Sequence, residues 1–282
     1  MRVSRCFLVV GLMLSALHPA LAGQREGNTA YKAGNYIEAY NQWKPLAEQG
    51  SAEAQHDLGI LFLNGESVTK DLATALKLFQ LAADQDYAPA ENNLGLMYGR
   101  GWGVPQNYEI AIEWFRKSAE QGNDVGQTNL GSYYIHGKGI QKDVARAAEW
   151  WTKSADQGNA NAQYNLGILY VSGEDVSMNY GLAIDYLDQA SLQGHADAQF
   201  NLGIMYHEGF GTEKNALKAA EWWLRAAEQG NLEAQYNMGV LYRDGIGVDK
   251  NDAKAAEWWR KAADQGDVRS QNLLESLPFH KG

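Results

Sequence analysis

The chain has 282 residues, with 34 acidic against 24 basic side chains for a formal charge of −10, and it carries 9 tryptophans and 15 tyrosines but only 5 prolines. The acidic excess argues against nucleic acid or an anionic membrane surface as the main partner, because lysine and arginine hold both, and the aromatic content with evenly spread charge excludes a disordered domain. The single cysteine, Cys6, sits at the extreme N-terminus, so the remainder of the chain forms no disulfide and offers no thiolate as nucleophile or metal ligand.

Arg2 and Arg5 are followed by an apolar run from Cys6 to Leu17 and then by Ala20-Leu21-Ala22 ahead of polar sequence. Charge, apolar core and small-residue cleavage site in that order make a secretory signal peptide, and the mature chain is expected to begin near Gly23. The run is too short to span a hydrocarbon core of about 30 Å, and no later segment is apolar for long enough, so no stable membrane anchor is expected. Cys6 also lies too early to be the first residue of a mature lipoprotein. The protein is therefore expected to be exported. The periplasm is the first expectation, and secretion to the medium stays open because a leader reports the crossing of one membrane.

After an opening unit over 23–50, the chain repeats itself with a period of 36. Gln49, Gln85, Gln121, Gln157, Gln193, Gln229 and Gln265 keep that spacing without an insertion. Leu58-Gly59 returns as Leu94-Gly95, Leu130-Gly131, Leu166-Gly167, Leu202-Gly203 and Met238-Gly239. Two more series follow the same interval: Ala39, Ala75, Ala111, Ala147, Ala183, Ala219 and Ala255, and Trp43, Phe79, Phe115, Trp151, Leu187, Trp223 and Trp259. A fixed period of this length marks an array whose units bury their apolar faces only by stacking. The expected fold is all-α, an α-solenoid in a right-handed superhelix of tandem antiparallel helix pairs.

Each unit divides into two helices. In the fourth, Ala162, Leu166 and Tyr170 share one helical stripe from about Asn159 to Val171, and Ala183, Leu187 and Ser191 share another beyond Gly173. Asp71, Asn107, Asp143, Asn179, Asn215 and Asn251 stand before the second helix as N-caps, and Asn123, Asn159 and Asn231 stand before the first. The glycine that usually follows the repeated glutamine is expected to close the second helix. The mid-helix glycines, Gly59 to Gly239, each cost about 1 kcal/mol relative to alanine. Close approach of a neighbouring helix is expected there, with Tyr98, Tyr134, Tyr170, Tyr206 and Tyr242 filling the space beside them. The expected divisions are a signal peptide at 1–22, a capping unit at 23–50, six repeats at 51–86, 87–122, 123–158, 159–194, 195–230 and 231–266, and a C-terminal capping helix and tail at 267–282.

The A-x-A-Q-x-x-L-G-x-x-Y first helix and the A-x-x-W-x-x-x-A second helix, joined by loops such as Gly101-Trp102-Gly103-Val104 and Gly245-Ile246-Gly247-Val248, resemble the Sel-1-like repeat, a relative of the tetratricopeptide repeat. The resemblance covers nearly all of the mature chain. Gly65-Glu66-Ser67-Val68 and Gly173-Glu174-Asp175-Val176 lack the second loop glycine, and the opening segment from Gly27 to Tyr36 looks more like a tetratricopeptide unit. The resemblance implies an adaptor that binds a protein or peptide in a concave groove lined by first helices, in envelope assembly, signalling or contact with a host.

Catalysis finds little footing. His18, His56, His136, His195, His207 and His280 make no i, i+4 pair, so neither metal nor cofactor is expected. Ser67-Val68-Thr69-Lys70 matches the S-x-x-K pattern of penicillin-recognising enzymes, and some cysteine-rich members of the resembled family are described as β-lactamases. That chemistry needs the serine and lysine one turn apart on a helix, with S-D-N and K-T-G elements that are missing here. A β-lactam or cell-wall hydrolase stays as an alternative to the non-catalytic scaffold.

Two stripes are candidates for binding. Asp57, Asn93, Asn129, Asn165, Asn201 and Asn237 recur on the first helix, and an asparagine ladder can hold an extended peptide backbone because each amide both donates and accepts. The other reading is that these residues bond to the neighbouring unit. Beside the ladder, Tyr164, Phe200 and Tyr236 stand where earlier repeats have His56, Asn92 and Thr128, and aromatic residues serve as anchors as well as core. On the second helix, Trp114, Trp150, Trp222 and Trp258 either pack between repeats or form a second binding stripe, one able to stack sugars.

Overall fold

The computed structural model describes residues 21–276, which hold fifteen helices and no strand. The expected leader lies outside them, apart from Leu21 and Ala22, which are helical. The described chain forms two compact units that divide between Lys142 and Asp143. The first contains α1 (residues 21–32), α2 (Tyr36–Glu48), α3 (Ala52–Asn64), α4 (Leu72–Ala83), α5 (Ala88–Arg100), α6 (Tyr108–Glu120) and α7 (Asp124–His136). The second contains α8 (Val144–Asp156), α9 (Ala160–Ser172), α10 (Tyr180–Leu192), α11 (Ala196–Glu208), α12 (Ala216–Glu228), α13 (Leu232–Asp244), α14 (Asp252–Asp264) and α15 (Val268–Ser276). Within each unit successive helices pack on one another, as in an all-α solenoid of helix pairs.

The caps divide the helices where the sequence places them. Asp71, Asn107, Asp143, Asn179, Asn215 and Asn251 each accept a backbone N–H in the first turn of a second helix. Asn123, Asn159 and Asn231 do the same for first helices. Four further caps were not foreseen: Asn35 ahead of α2, Ser51 ahead of α3, Asp267, which accepts from Ser270 N at the start of α15, and His195, whose imidazole Nδ1 accepts from Ala198 N ahead of α11. Tyr87 caps nothing, and Pro89 at the start of α5 removes one of the N–H groups that a cap would serve.

The series at Ala39 is wholly buried throughout, and the series from Trp43 to Trp259 is buried at every member. These side chains explain the mid-helix glycines. A Cβ on Gly59 would lie 2.7 Å from Phe79, one on Gly95 2.6 Å from Phe115, and one on Gly167 2.7 Å from Leu187, with Trp223 and Trp259 pressed as closely on Gly203 and Gly239. The space beside the glycine is thus filled from the second helix of the same pair, not by the tyrosines three residues on, as the sequence suggested. Those tyrosines sit nearly a turn further along and meet other side chains of the second helix: Tyr170 stacks on Tyr186, and Lys218 and Lys254 lie over Tyr206 and Tyr242.

A second repeated contact joins one pair to the next. Gln55, Gln127, Gln163, Gln199 and Gln235 are buried, and each donates its amide to the carbonyl of Ala47, Ala119, Ala155, Ser191 or Ala227 at the end of the preceding second helix. Their own amide oxygens accept from the period-marking glutamines: Gln85 on Gln55 at 2.9 Å, Gln193 on Gln163 and Gln229 on Gln199 at 2.7 Å, and Gln265 on Gln235 at 2.8 Å. In the second repeat the inner position is Glu91, which accepts from Gln121 at 2.7 Å but, when ionised, has no hydrogen to give Ala83.

Burial pushes the Glu91 carboxyl above its ordinary value; Lys117 and the Gln121 amide act against the shift and Asp86 adds to it. The folded state therefore favours the protonated acid, and the penalty develops as pH rises through the ordinary carboxylate value and is complete above the raised one. Glu91→Gln is expected to stabilise the first unit by about 1 kcal/mol at neutral pH, with the gain shrinking toward about pH 4 in urea melts followed by circular dichroism. In the second unit, Gly203→Ala is expected to cost about 1–3 kcal/mol through overpacking. Gly181→Ala, at an exposed site of α10 where Ala73 and Glu109 stand in other repeats, is expected to gain about 0.5–1 kcal/mol in the same melts.

Candidate functional site

All five ladder asparagines are half-buried, on α5, α7, α9, α11 and α13. Their partners differ between the units. In the first, Asn93 Nδ2 donates to His56 Nε2 at 3.0 Å and Asn129 Nδ2 donates to Asn92 Oδ1 at 2.8 Å, both on the preceding first helix. The ladder here holds repeats together. In the second unit the residues corresponding to His56 and Asn92 are Tyr164 and Phe200, whose rings offer no acceptor at that place. Asn201 turns back to donate to Asp197 O at 2.7 Å in its own helix, and Asn237 makes no hydrogen bond among the described residues.

Tyr164, Phe200 and Tyr236 are half-buried, with one side against the core of their own repeat. Each has a fixed neighbour: Tyr164 stacks on His195 with ring centres 4.6 Å apart, Phe200 lies 6.4 Å from Trp223, and the Arg269 guanidinium sits 4.3 Å over Tyr236. The backbone beneath is fixed too, since Trp223 Nε1 donates to Phe200 O and Trp259 Nε1 to Tyr236 O. One turn along α9, α11 and α13 come Ile168, Ile204 and Val240, also half-buried. The first helices of the second unit therefore carry three parallel rows, aromatic, carboxamide and aliphatic, each repeated once per pair.

The tryptophan stripe is roofed. Trp114, Trp150 and Trp222 are half-buried and Trp258 is buried. Trp114 packs on the α4–α5 core, Trp222 on the α10–α11 core, and Trp258 within the α12–α13 core. Over each ring, one turn on, stands a cation: Lys117 at 4.2 Å, Lys153 at 4.2 Å, Arg225 at 4.6 Å and Lys261 at 4.0 Å. A sugar would have to displace these side chains to stack there.

Ser67 and Lys70 are exposed and lie in the loop between α3 and α4, not on a helical turn. Ser67 has a left-handed φ of 60°, the conformation that the second loop glycine supplies in other repeats, and its hydroxyl donates to Tyr36 O at 3.0 Å. That contact docks the loop on the start of α2, as Gly103 lets the next loop approach Leu72 at the start of α4. Asp175 takes the same left-handed conformation in the other loop without the glycine. Among the described residues no group of three or more His, Cys, Asp or Glu side chains is placed to hold a metal ion.

His195 links a cap to a candidate anchor. Burial lowers its affinity for a proton, with Asp197 opposing, and burial together with Asp197 raises the Tyr164 phenol. The cap needs a bare Nδ1, so the lowered value has a direct consequence: stability from the neutral ring is present above the unfolded value near pH 6.5 and is lost as pH falls toward the folded one. The second unit is expected to lose about 1 kcal/mol over that acid limb. His195→Asn, which restores the cap of Asn159 and Asn231, should flatten it in melts between pH 5 and 8; an unchanged slope would place the titration elsewhere.

The Sel1 repeat model matches the chain six times, at residues 52–87, 88–123, 125–159, 160–195, 196–231 and 232–267. Similar solved structures include a protective antigen present in uropathogenic Escherichia coli strains and displaying an SLR fold, 35% identical with a TM-score of 0.73, the match covering 94% of this chain and 57% of that one. A Sel1 repeat protein from Oxalobacter formigenes is 31% identical with a TM-score of 0.76, the match covering 91% of this chain and 75% of that one. An immunity protein from Pseudomonas aeruginosa, 20% identical with a TM-score of 0.51 over 80% of this chain and 88% of its own, shares the fold. No curated protein matches. With six consecutive repeat matches and two relatives above 30% identity, the chain belongs to the Sel1 repeat family.

Proposed function

We propose that the protein is a non-catalytic, exported scaffold that binds an extended segment of a partner protein on the first-helix face of its second unit. The observation that carries this reading is the carboxamide row, tied up between repeats in the first unit and released in the second, where Asn237 has no hydrogen bond among the described residues. An extended backbone presents donors and acceptors at a regular interval, and a carboxamide answers both. The aromatic and aliphatic rows, which lie together along one side of the carboxamides, give the segment's side chains apolar ground, and anchors of that kind dominate the energy of peptide recognition.

Export rests on the leader, from Arg2 through Ala22, and the envelope or its exterior is the place where a partner would be met. The relative described as a protective antigen of uropathogenic Escherichia coli is consistent with contact between cell and host, and envelope assembly or signalling suit the same scaffold. The hydrolase alternative is weakened because the Ser67 hydroxyl is committed to Tyr36 O, and the carbohydrate alternative because each tryptophan of the stripe lies under a cation.

A photoreactive residue at Asn237 in the protein's native envelope, with a second at the exposed loop residue Lys138 as control, tests the reading. A discrete adduct from position 237 alone is expected, together with its loss when an excess of unlabelled protein is added. Adducts from neither position, or equally from both, would overturn it.

A further inference from the structure

The first unit holds an open pocket of about 300 Å³ between α1, α2 and α3, with Tyr31, Trp43 and Ile60 as its apolar wall and Glu53 and Asp57 as its acidic one. Asp57 occupies the ladder position and is the one charged member of that row. It is fixed in place: Gln24 Nε2 donates to Oδ2 at 2.6 Å, and His56 Nδ1 lies 2.9 Å from Oδ1. Because His56 Nε2 accepts from the Asn93 amide, the ring hydrogen is on Nδ1, and the imidazole donates to the carboxylate.

Among the described residues neither pocket carboxylate meets a cation. Lys32 stands on the rim but makes no ion pair among the described residues. The uncompensated charge is felt by the neighbouring Tyr87 phenol, pushed up to about 12 by burial first and then by Asp57 and Glu53. Among the described residues, the Trp43 Nε1–H of the pocket wall, 3% exposed, has no hydrogen bond, whereas Trp223 and Trp259 at the same repeat position both find a carbonyl; Gln24, which holds Asp57 and is 7% exposed, has an Oε1 that likewise accepts none.

We propose that this pocket takes a basic side chain, lysine or arginine, presented by a partner protein. Its methylene stem would lie on Tyr31 and Ile60 and its cation at Glu53 and Asp57, with the aromatic ring faces adding to the attraction. The volume suits one long side chain, and the acidic balance of the whole chain favours a cationic partner. The proposal goes beyond the peptide face of the second unit and does not depend on it, since the residues belong to the first unit.

The test is fluorescence anisotropy of a labelled pentapeptide with one central lysine, titrated with the mature chain, against the same peptide carrying norleucine. The lysine peptide is expected to bind at least about tenfold more tightly, with the preference shrinking as salt is added. Glu53→Gln, at an exposed position, and Asp57→Asn should each remove most of that preference while Glu109→Gln, an exposed carboxylate elsewhere in the first unit, leaves it intact, and circular dichroism would establish that the variants fold. Equal binding of the two peptides, no binding of either at about 10 mM, or an unchanged preference in both variants would overturn the pocket assignment. Binding of n-butylammonium as tight as that of the lysine peptide would overturn a partner protein as the source of the cation.

Discussion

The carboxamides of Gln55, Gln127, Gln163, Gln199 and Gln235 lie buried where a first helix meets the end of the helix before it, and the stacking of the pairs rests on them. A buried amide that lost its partners would cost far more than the bond itself contributes, so a pair that slipped or rotated against its neighbour would leave both a donor and an acceptor stranded. Apolar packing alone tolerates some sliding. The amides convert a general attraction between alanine-lined faces into one register, and they do so from within the core. The close approach of Gly59 to Phe79 and its counterparts then fixes the two helices inside each pair.

Much of this was legible in the sequence because it is periodic. The caps at Asn107 or Asn215 need only a short polar side chain at a helix start, which is local information. The buried alanine and aromatic series needed only the period. The occupant of the space beside each mid-helix glycine was misread, because Tyr206 is near Gly203 along the helix whereas Trp223 reaches it from another helix, and sequence distance favours the former. The partner of each period-marking glutamine was invisible for the same reason: Gln229 meets Gln199 only once two helices have folded back on each other.

The proposed binding face was half legible. The asparagine row could be seen, but whether its members were occupied turned on the side chain opposite each of them on the preceding first helix. His56 and Asn92 have acceptors in reach and Tyr164 and Phe200 do not, a distinction written in the sequence that becomes meaningful only with the register of adjacent helices known. Departures from the repeat therefore carry the individuality of this protein. Glu91 in place of a core glutamine, His195 in place of a capping asparagine and Asp57 at the head of the ladder each keep the backbone arrangement and change its charge or its response to protons.

The glutamine joint also bears on how such a chain changes its length. Every joint but that of Glu91 sets the same glutamine donor against the same carbonyl, so a pair cut out between two such joints leaves behind two ends that fit each other. Unequal recombination between homologous segments of the gene, in steps of one repeat, would lengthen or shorten the array by one row while leaving every remaining buried amide with a partner. Insertions of any other length would strand one. The uninterrupted 36-residue spacing from Gln49 to Gln265 is the record such a constraint would leave.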